Sequence, residues 1–267
     1  MLAFTKIKNH GASNPIVARI AIGVGRLARK SQLSNEQKEN IVVECDVMAD
    51  RLIDAYQSGQ AVIDEIDGIE NRLHEKYKND PEPKTPTAFE SLINTTEILH
   101  FLKHAKAALR CAASILGITL GKQTNNKIWE KAYRKGRFDL ILDDLKKETQ
   151  SPDSILILIK IIETYAGWLE YISNRRDDDE HPKTFDKLIK NYGLLSNDGV
   201  CYLTRPSFQD GSNIYEFIKH SMKYLLNFCE ELCIYAIEEK LPLTFFVQEI
   251  PEEQRDSQCP ERFRISL

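Results

Sequence analysis

The stretch IVVECDVMADRLIDAYQSGQAVIDEIDGIENRL, residues 41–73, spaces its apolar side chains by alternating fours and threes. Ile41, Cys45, Met48, Leu52, Ala55, Gly59, Val62, Ile66, Ile69 and Leu73 keep one phase, with mostly polar residues between them. This is a heptad seam, the pattern of a helix that buries one narrow stripe. A hairpin turn at QSGQ, residues 57–60, would reset the phase, and the phase is not reset. One continuous helix of about 65 Å is expected, at about 1.5 Å per residue, with Gly59 the weakest point along it. Upstream, Ser34 and Gln37 make a capping-box pair for its start. Asn14 caps a shorter helix that opens on Pro15.

Downstream, KNDPEPKTPT, residues 78–87, sets three prolines among charges and reads as a linker. It separates an N-terminal helical segment, residues 1–80, from a central bundle, residues 81–241. After Pro242 the helical period is lost, so residues 242–267 read as an extended C-terminal tail. Within the bundle, residues 87–117 place Phe89, Leu92, Leu99, Leu102, Leu109, Ala112 and Leu116 on one face and stop at Gly117. Residues 125–147 are amphipathic with an interruption at Gly136. A third helix is capped by Ser151, has Pro152 in its first turn, and runs SILILIKIIETYAGWLEYISNRR with apolar residues on nearly every side. Such a helix is expected to be the most buried. Residues 213–240 form the fourth. Between the last two, a short helix ending near Gly193 leads into LLSNDGVCYLT, residues 194–204, whose Asn-Asp-Gly core predicts a small hairpin. The fold class read from the sequence is all-α: an up-and-down four-helix bundle with a long N-terminal helix and a small hairpin before the last bundle helix.

The chain has 267 residues, 42% of them hydrophobic, enough for a sizeable core. Its 36 Lys and Arg against 40 Asp and Glu give a net charge of -4, which argues against sequence-blind binding of long nucleic acid by overall charge. RNA would have to be met by a local patch. The first residues lack the apolar core of a signal peptide, and no window reaches the roughly 18 apolar residues of a membrane span. A cytoplasmic protein without a membrane partner is expected. The six cysteines, Cys45, Cys111, Cys201, Cys229, Cys233 and Cys259, lack paired C-x-x-C spacing and read as reduced, mostly buried thiols.

The third helix carries the chemistry. Its seam, Leu158, Ile162, Tyr165, Leu169 and Ile172, has Arg176 as its next member, so a charge arrives on the buried face. A guanidinium there needs a carboxylate, a bound anion or a neighbouring subunit, because leaving it desolvated and unpaired costs several kcal/mol. His181 precedes Pro182, which ends the helix near Asp179 or Glu180. On one helix Arg176 and His181 would point roughly 140° apart. Two chains packed through their third helices about a two-fold axis bring both pairs into one cleft.

An apolar third helix ending in R-x4-H inside a four-helix bundle resembles the HEPN (higher eukaryotes and prokaryotes nucleotide-binding) superfamily, over roughly residues 87–240. The resemblance implies a metal-independent endoribonuclease that works as a homodimer, with Arg176 and His181 as the catalytic pair. It places Asp177 in the polar position after the arginine, and Arg175 offers an overlapping R-x5-H spacing. It implies RNA as substrate, no cofactor, and an antitoxin or regulatory protein as a further partner in a toxin-antitoxin or antiphage setting. The residue types suit the reaction: RNA carries its own nucleophile in the 2′-hydroxyl, histidine supplies a proton acceptor near neutral pH, and arginine a fixed cation for the charge gathering on phosphate. Two departures stand out. Asp177, Asp178, Asp179 and Glu180 lie between the pair, and Lys183 stands where the nucleotidyltransferase-paired branch has tyrosine. The chain is not placed in that branch.

A basic stretch, KQTNNKIWEKAYRKGR, residues 122–137, supplies candidate RNA contacts in Lys127, Lys131, Arg134, Lys135 and Arg137, with Trp129 and Tyr133 interleaved. The bland reading gives the two aromatics to the core and the cations to solvent. Gly23, Gly25 and Ala28 have dinucleotide-fingerprint spacing but need a strand on either side, whereas Ile41 to Cys45 open the heptad seam. EILHFLKH puts Glu97, His100 and His104 on one side of a helix, half of a carboxylate-type metal site, without a second Glu-x-x-His to complete it. The alternative to the nuclease is a catalytically silent helical interaction and dimerisation module whose seam binds a partner.

Overall fold

The computed structural model describes residues 10–78, 93, 95–122, 127–135, 137–147, 153–177, 189–197 and 200–266. The chain is predominantly helical. A π-helical stretch, Val17–Val24, continues into α1, Gly25–Lys30, and is followed by α2, Asn35–Lys78, and α3, Thr95–Thr119. Next come α4, Lys127–Lys135, α5, Phe138–Leu145, α6, Asp153–Asp177, and α7, Ile214–Glu238. Among the described residues there are also three two-stranded antiparallel sheets. β1, Ile189–Lys190, pairs with β4, Ser207–Phe208; β2, Gly193–Asn197, pairs with β3, Val200–Thr204; β5, Phe246–Glu249, pairs with β6, Phe263–Ser266. No helix among the described residues is long and apolar enough to cross a membrane.

The local signals act as physics requires. The Asn14 side-chain oxygen accepts from the Ile16 N–H at 2.9 Å. Ser34 and Gln37 cap each other: the Gln37 N–H donates to Ser34 Oγ at 3.2 Å and the Ser34 N–H to Gln37 Oε1 at 3.1 Å. From there α2 runs unbroken through Gly59. Its seam residues Ile41, Cys45, Met48, Leu52, Ala55, Val62 and Ile66 are fully buried and Ile69 nearly so; the side chain of Leu73 lies outside the described residues. Burying a Leu or Ile stabilises by about 1.5–3 kcal/mol, and here the seam is covered by the chain itself rather than held out for a second copy.

By internal packing the chain forms two compact units, residues 1–53, 106–173 and 225–267, and residues 54–105 and 174–224. Each unit is assembled from segments distant in sequence. In the first unit, Ser114 Oγ of α3 donates to Glu44 of α2 at 3.0 Å. Phe228 of α7 meets Phe138 of α5 and Tyr165 of α6 edge-on, with ring centroids 5.0 and 5.3 Å apart. In the second unit, the missing side chain of Gly59 lets α7 approach: a Cβ there would lie 2.9 Å from Met222 Sδ and 3.2 Å from Ile218 Cγ2. The Tyr56 hydroxyl donates to the Met222 carbonyl beside it. Phe217 of α7 contacts Phe101 of α3 and Phe208 of β4.

Several expectations are corrected. α3 does not stop at Gly117, which is buried within its last turn. It stops at Gly121, whose φ of +67° closes a Schellman cap: Lys122 N–H donates to the Gly117 carbonyl at 2.9 Å and Gly121 N–H to the Ile118 carbonyl at 3.2 Å. Ile98 and Phe101, rather than Leu99, join Leu102, Leu109, Ala112 and Leu116 in the core; Phe89 and Leu92 lie outside the described residues. Most of the short helix expected before Gly193 lies outside the described residues; Ile189 and Lys190 are extended and paired with β4. The hairpin at β2 and β3 is present, with Asn197 opposite Val200 across the two-residue connection. Residues 246–266 fold back as a second hairpin, held by Arg262, which bonds Glu231 of α7 at 2.6 Å and Glu249 of β5 at 2.7 Å.

α6 departs most. Leu158, Ile162, Leu169 and Ile172 are buried as the seam requires, but Leu156 is 53% and Ile157 41% exposed, so two aliphatic side chains near the start of this helix face outward. Ser151 and Pro152, read as its cap and first turn, precede the described part.

Candidate functional site

The end of α6 was singled out because its seam runs into charge. The helix continues to Asp177, so Arg175, Arg176 and Asp177 occupy its last turn. Ser173 and Ile172, immediately before, are buried. The side chains of residues 174–177 and all of residues 178–188, including His181 and the rest of the acidic run, lie outside the described residues.

The basic stretch divides its residues between core and surface. Trp129 is fully buried, and its Nε1–H donates to Asp144 Oδ2 at 2.7 Å. The same oxygen accepts from Lys122 Nζ at 3.0 Å. Burial pulls the Asp144 carboxyl upward, but the hydrogen bonds from Trp129 and Lys122 outweigh it and hold the group below the usual carboxylate range. Trp129 thus serves the core and presents no face for a base. Lys127 and Lys131 are exposed on α4. Arg137 is committed to Asp139, whose carboxyl it holds low by hydrogen bonding. The side chains of Tyr133, Arg134 and Lys135 lie outside the described residues. Of the five cations named for RNA, two stand ready on one helical turn and one is paired.

The remaining motifs resolve differently. Gly23 lies in the π-helical stretch and Gly25 and Ala28 in α1, so the residues leading into the glycines are helical where the dinucleotide fingerprint needs a strand. Cys45, Cys111, Cys229 and Cys233 are buried unbridged thiols from α2, α3 and α7. Burial raises Cys45, Cys229 and Cys233, and burial with the neighbouring Glu44 carboxylate pushes Cys111 up to about 12. They are protonated and poor nucleophiles. In EILHFLKH, His104 faces Asp54 of α2 with Nδ1 to Oδ2 at 3.4 Å, and His100 faces Glu97 with Nδ1 to Oε1 at 3.8 Å.

Two features went unread in the sequence. A groove of about 360 Å³ between α2 and α3 is lined by Glu44, Val47, Arg51, Arg110, Cys111 and Ser114. Its signal was available: Val43 and Val47 are apolar, one turn apart and off the heptad seam, and both are exposed. The second is a buried ion cluster. Glu230, 1% exposed, accepts from Arg19 Nε at 2.9 Å and lies 3.8 Å from Arg262. Burial raises the Glu230 carboxyl, with Arg19 opposing. Partners 211 residues apart leave no local sequence pattern.

Comparison with known proteins finds no family model, no curated protein and no solved structure that matches the chain.

Proposed function

We propose that the protein is a metal-independent endoribonuclease of HEPN type, with α3, α4–α5, α6 and α7 as the helices of its bundle and α6 as the subunit contact. The observation that carries this reading is the register of α6. Four seam residues are buried, the next seam position is Arg176 in the last helical turn, and the helix keeps Leu156 and Ile157 exposed on another side. A helix that covers its own core with one face and exposes aliphatic side chains elsewhere suits a two-fold contact between copies. The nuclease reading requires that contact to extend along α6 to its last turn, where two arginines and two histidines would share a cleft.

In that cleft His181 accepts the proton of a ribose 2′-hydroxyl. The 2′-oxygen attacks the adjacent phosphorus, a bond to 2′-oxygen forms, and the bond to the 5′-oxygen breaks. A histidine returns a proton to the leaving 5′-oxygen, giving a 2′,3′-cyclic phosphate and a 5′-hydroxyl end. Arg176 stabilises the negative charge on the phosphoryl oxygens in the transition state. Lys127 and Lys131 contribute to holding the RNA backbone. Asp177 and Arg175 flank the pair as positioning groups. By this reading the setting is a toxin or antiphage effector with a protein regulator.

Purified protein incubated with tRNA or structured RNA in excess chelator is expected to generate cyclic-phosphate ends, and Arg176→Ala with His181→Ala to abolish them. Cleavage at an unchanged rate in the double variant ends the nuclease reading. The silent-module alternative loses the surface first offered for it, since the α2 seam is buried within the chain. It then rests on other exposed surface, such as Leu156 and Ile157 of α6, and predicts dimers or partner capture without cleavage.

A further inference from the structure

We propose that the second unit carries a binding site for one late first-row divalent cation, Zn²⁺ or Cu²⁺, with His100 and His104 of α3 as its two protein ligands. It is independent of the nuclease reading. The residues are one turn apart in HFLKH, residues 100–104, and an i,i+4 pair projects from one side of a helix. Their ring centroids are 6.5 Å apart with planes inclined by 71°. Chelation at metal–nitrogen distances of about 2.0–2.1 Å needs centroids roughly 5 Å apart. Closing the difference is a side-chain rotation at a site where His100 is half-exposed and His104 partly exposed.

What sets this pair apart from two surface histidines is the carboxylate facing each. Asp54 Oδ2 lies 3.4 Å from His104 Nδ1, and Glu97 Oε1 lies 3.8 Å from His100 Nδ1. A carboxylate close enough to accept from Nδ1–H leaves Nε2 for a metal, and Asp54 is placed to do this for His104. The neighbour of His100 is Glu97 of the same helix, at ion-pair rather than hydrogen-bond distance, whereas Asp54 comes from α2. The two negative charges also offset the cation. Imidazole ligands favour late divalent ions, in the order that places Cu²⁺ above Zn²⁺ and Ni²⁺. Among the described residues no three His, Cys, Asp or Glu side chains already converge as ligands. The site therefore supplies two nitrogens, and water or an external group completes the coordination.

The test uses the full chain purified without a histidine tag, titrated with Zn²⁺ against a chromogenic chelator and with Cu²⁺ followed by electron paramagnetic resonance. One ion per chain is expected, with the hyperfine pattern of two imidazole nitrogens, and a melting temperature that rises with Zn²⁺ concentration. His100→Ala with His104→Ala should weaken binding at least 100-fold while His10, His74, His181 and His220 remain. Asp54→Asn should weaken it about tenfold at unchanged stoichiometry, the low end of the range for outer-shell carboxylates, and Glu97→Gln should weaken it less. Circular dichroism verifies that the variants are folded. Zn²⁺ affinity in the double variant equal to that of the parent chain, or a Cu²⁺ spectrum without two nitrogens, overturns the proposal. Neither result bears on RNA cleavage in chelator.

Discussion

Helices α2 and α6 both carry a seam, and they teach opposite lessons. In α2 polar residues fill most positions off the stripe, so the sequence states which side is wet as well as which is buried. All its described seam residues are buried in the structure. In α6 the stripe Leu158, Ile162, Leu169 and Ile172 is equally buried, but the positions beside it are also aliphatic and stay exposed at Leu156 and Ile157. An amphipathic pattern identifies both faces of a helix, whereas an all-round apolar pattern identifies neither. The apolar surplus on α6 is also what a subunit contact would use.

The comparison can be broken most decisively inside α2. Leu52→Ala should cost about 3 kcal/mol in chemical denaturation, because it opens a cavity in a core that contains the whole side chain. A loss under about 1 kcal/mol would mean the seam is not covered as described. Gly59→Leu should cost about 2 kcal/mol by overpacking against Met222 and Ile218. It is to be compared with Gly68→Leu on the same helix, where a Cβ meets nothing within 4 Å and the change should stabilise slightly.

Asp144→Asn tests the partition of aromatic from cation in the basic stretch. It should cost about 1–2 kcal/mol at pH 7 through the lost charge-assisted bonds to Lys122 and Trp129. Because the folded carboxyl lies below its ordinary value, its contribution is present in full above the unfolded pKa and is lost as pH falls through the folded pKa. The difference in melting temperature between parent and variant should therefore hold steady from pH 7 to about 5 and shrink below about 4. A difference that grows on acidification would contradict the assignment.

The smallest stability effect belongs to α6. Leu156→Asp should change stability by less than about 0.5 kcal/mol, as an exposed substitution does, yet convert a dimer to a monomer in light scattering. Dimers that persist in this variant and in Ile157→Asp would remove α6 as the contact and leave its two exposed aliphatic side chains unexplained.

Caps and periodicity were legible because they act between neighbours in sequence. Asn14, Ser34 with Gln37, the hairpin at residues 193–204 and the run of α2 were all readable on those grounds. The stop of α3 was misread by four residues. Gly117 and Gly121 are both glycines near a helix end, and only the burial of the first and the positive φ of the second separate them. At the candidate site, the sequence supplied the arginine on the seam and the histidine before a proline. It also supplied the two histidines of α3, but not Asp54 facing one of them, which comes from a different helix.

The sequence by itself determined where helices start, which stripe of α2 is buried and which residue types are available for chemistry, because these follow from hydrogen bonds and side-chain spacing within a few turns. Only the tertiary structure decided that the heptad seam is consumed by its own chain, that Trp129 is a core residue and that α6 keeps two aliphatic side chains exposed. Each of those depends on which distant segment arrives to exclude water, and Arg19 finding Glu230 across 211 residues is the plainest case.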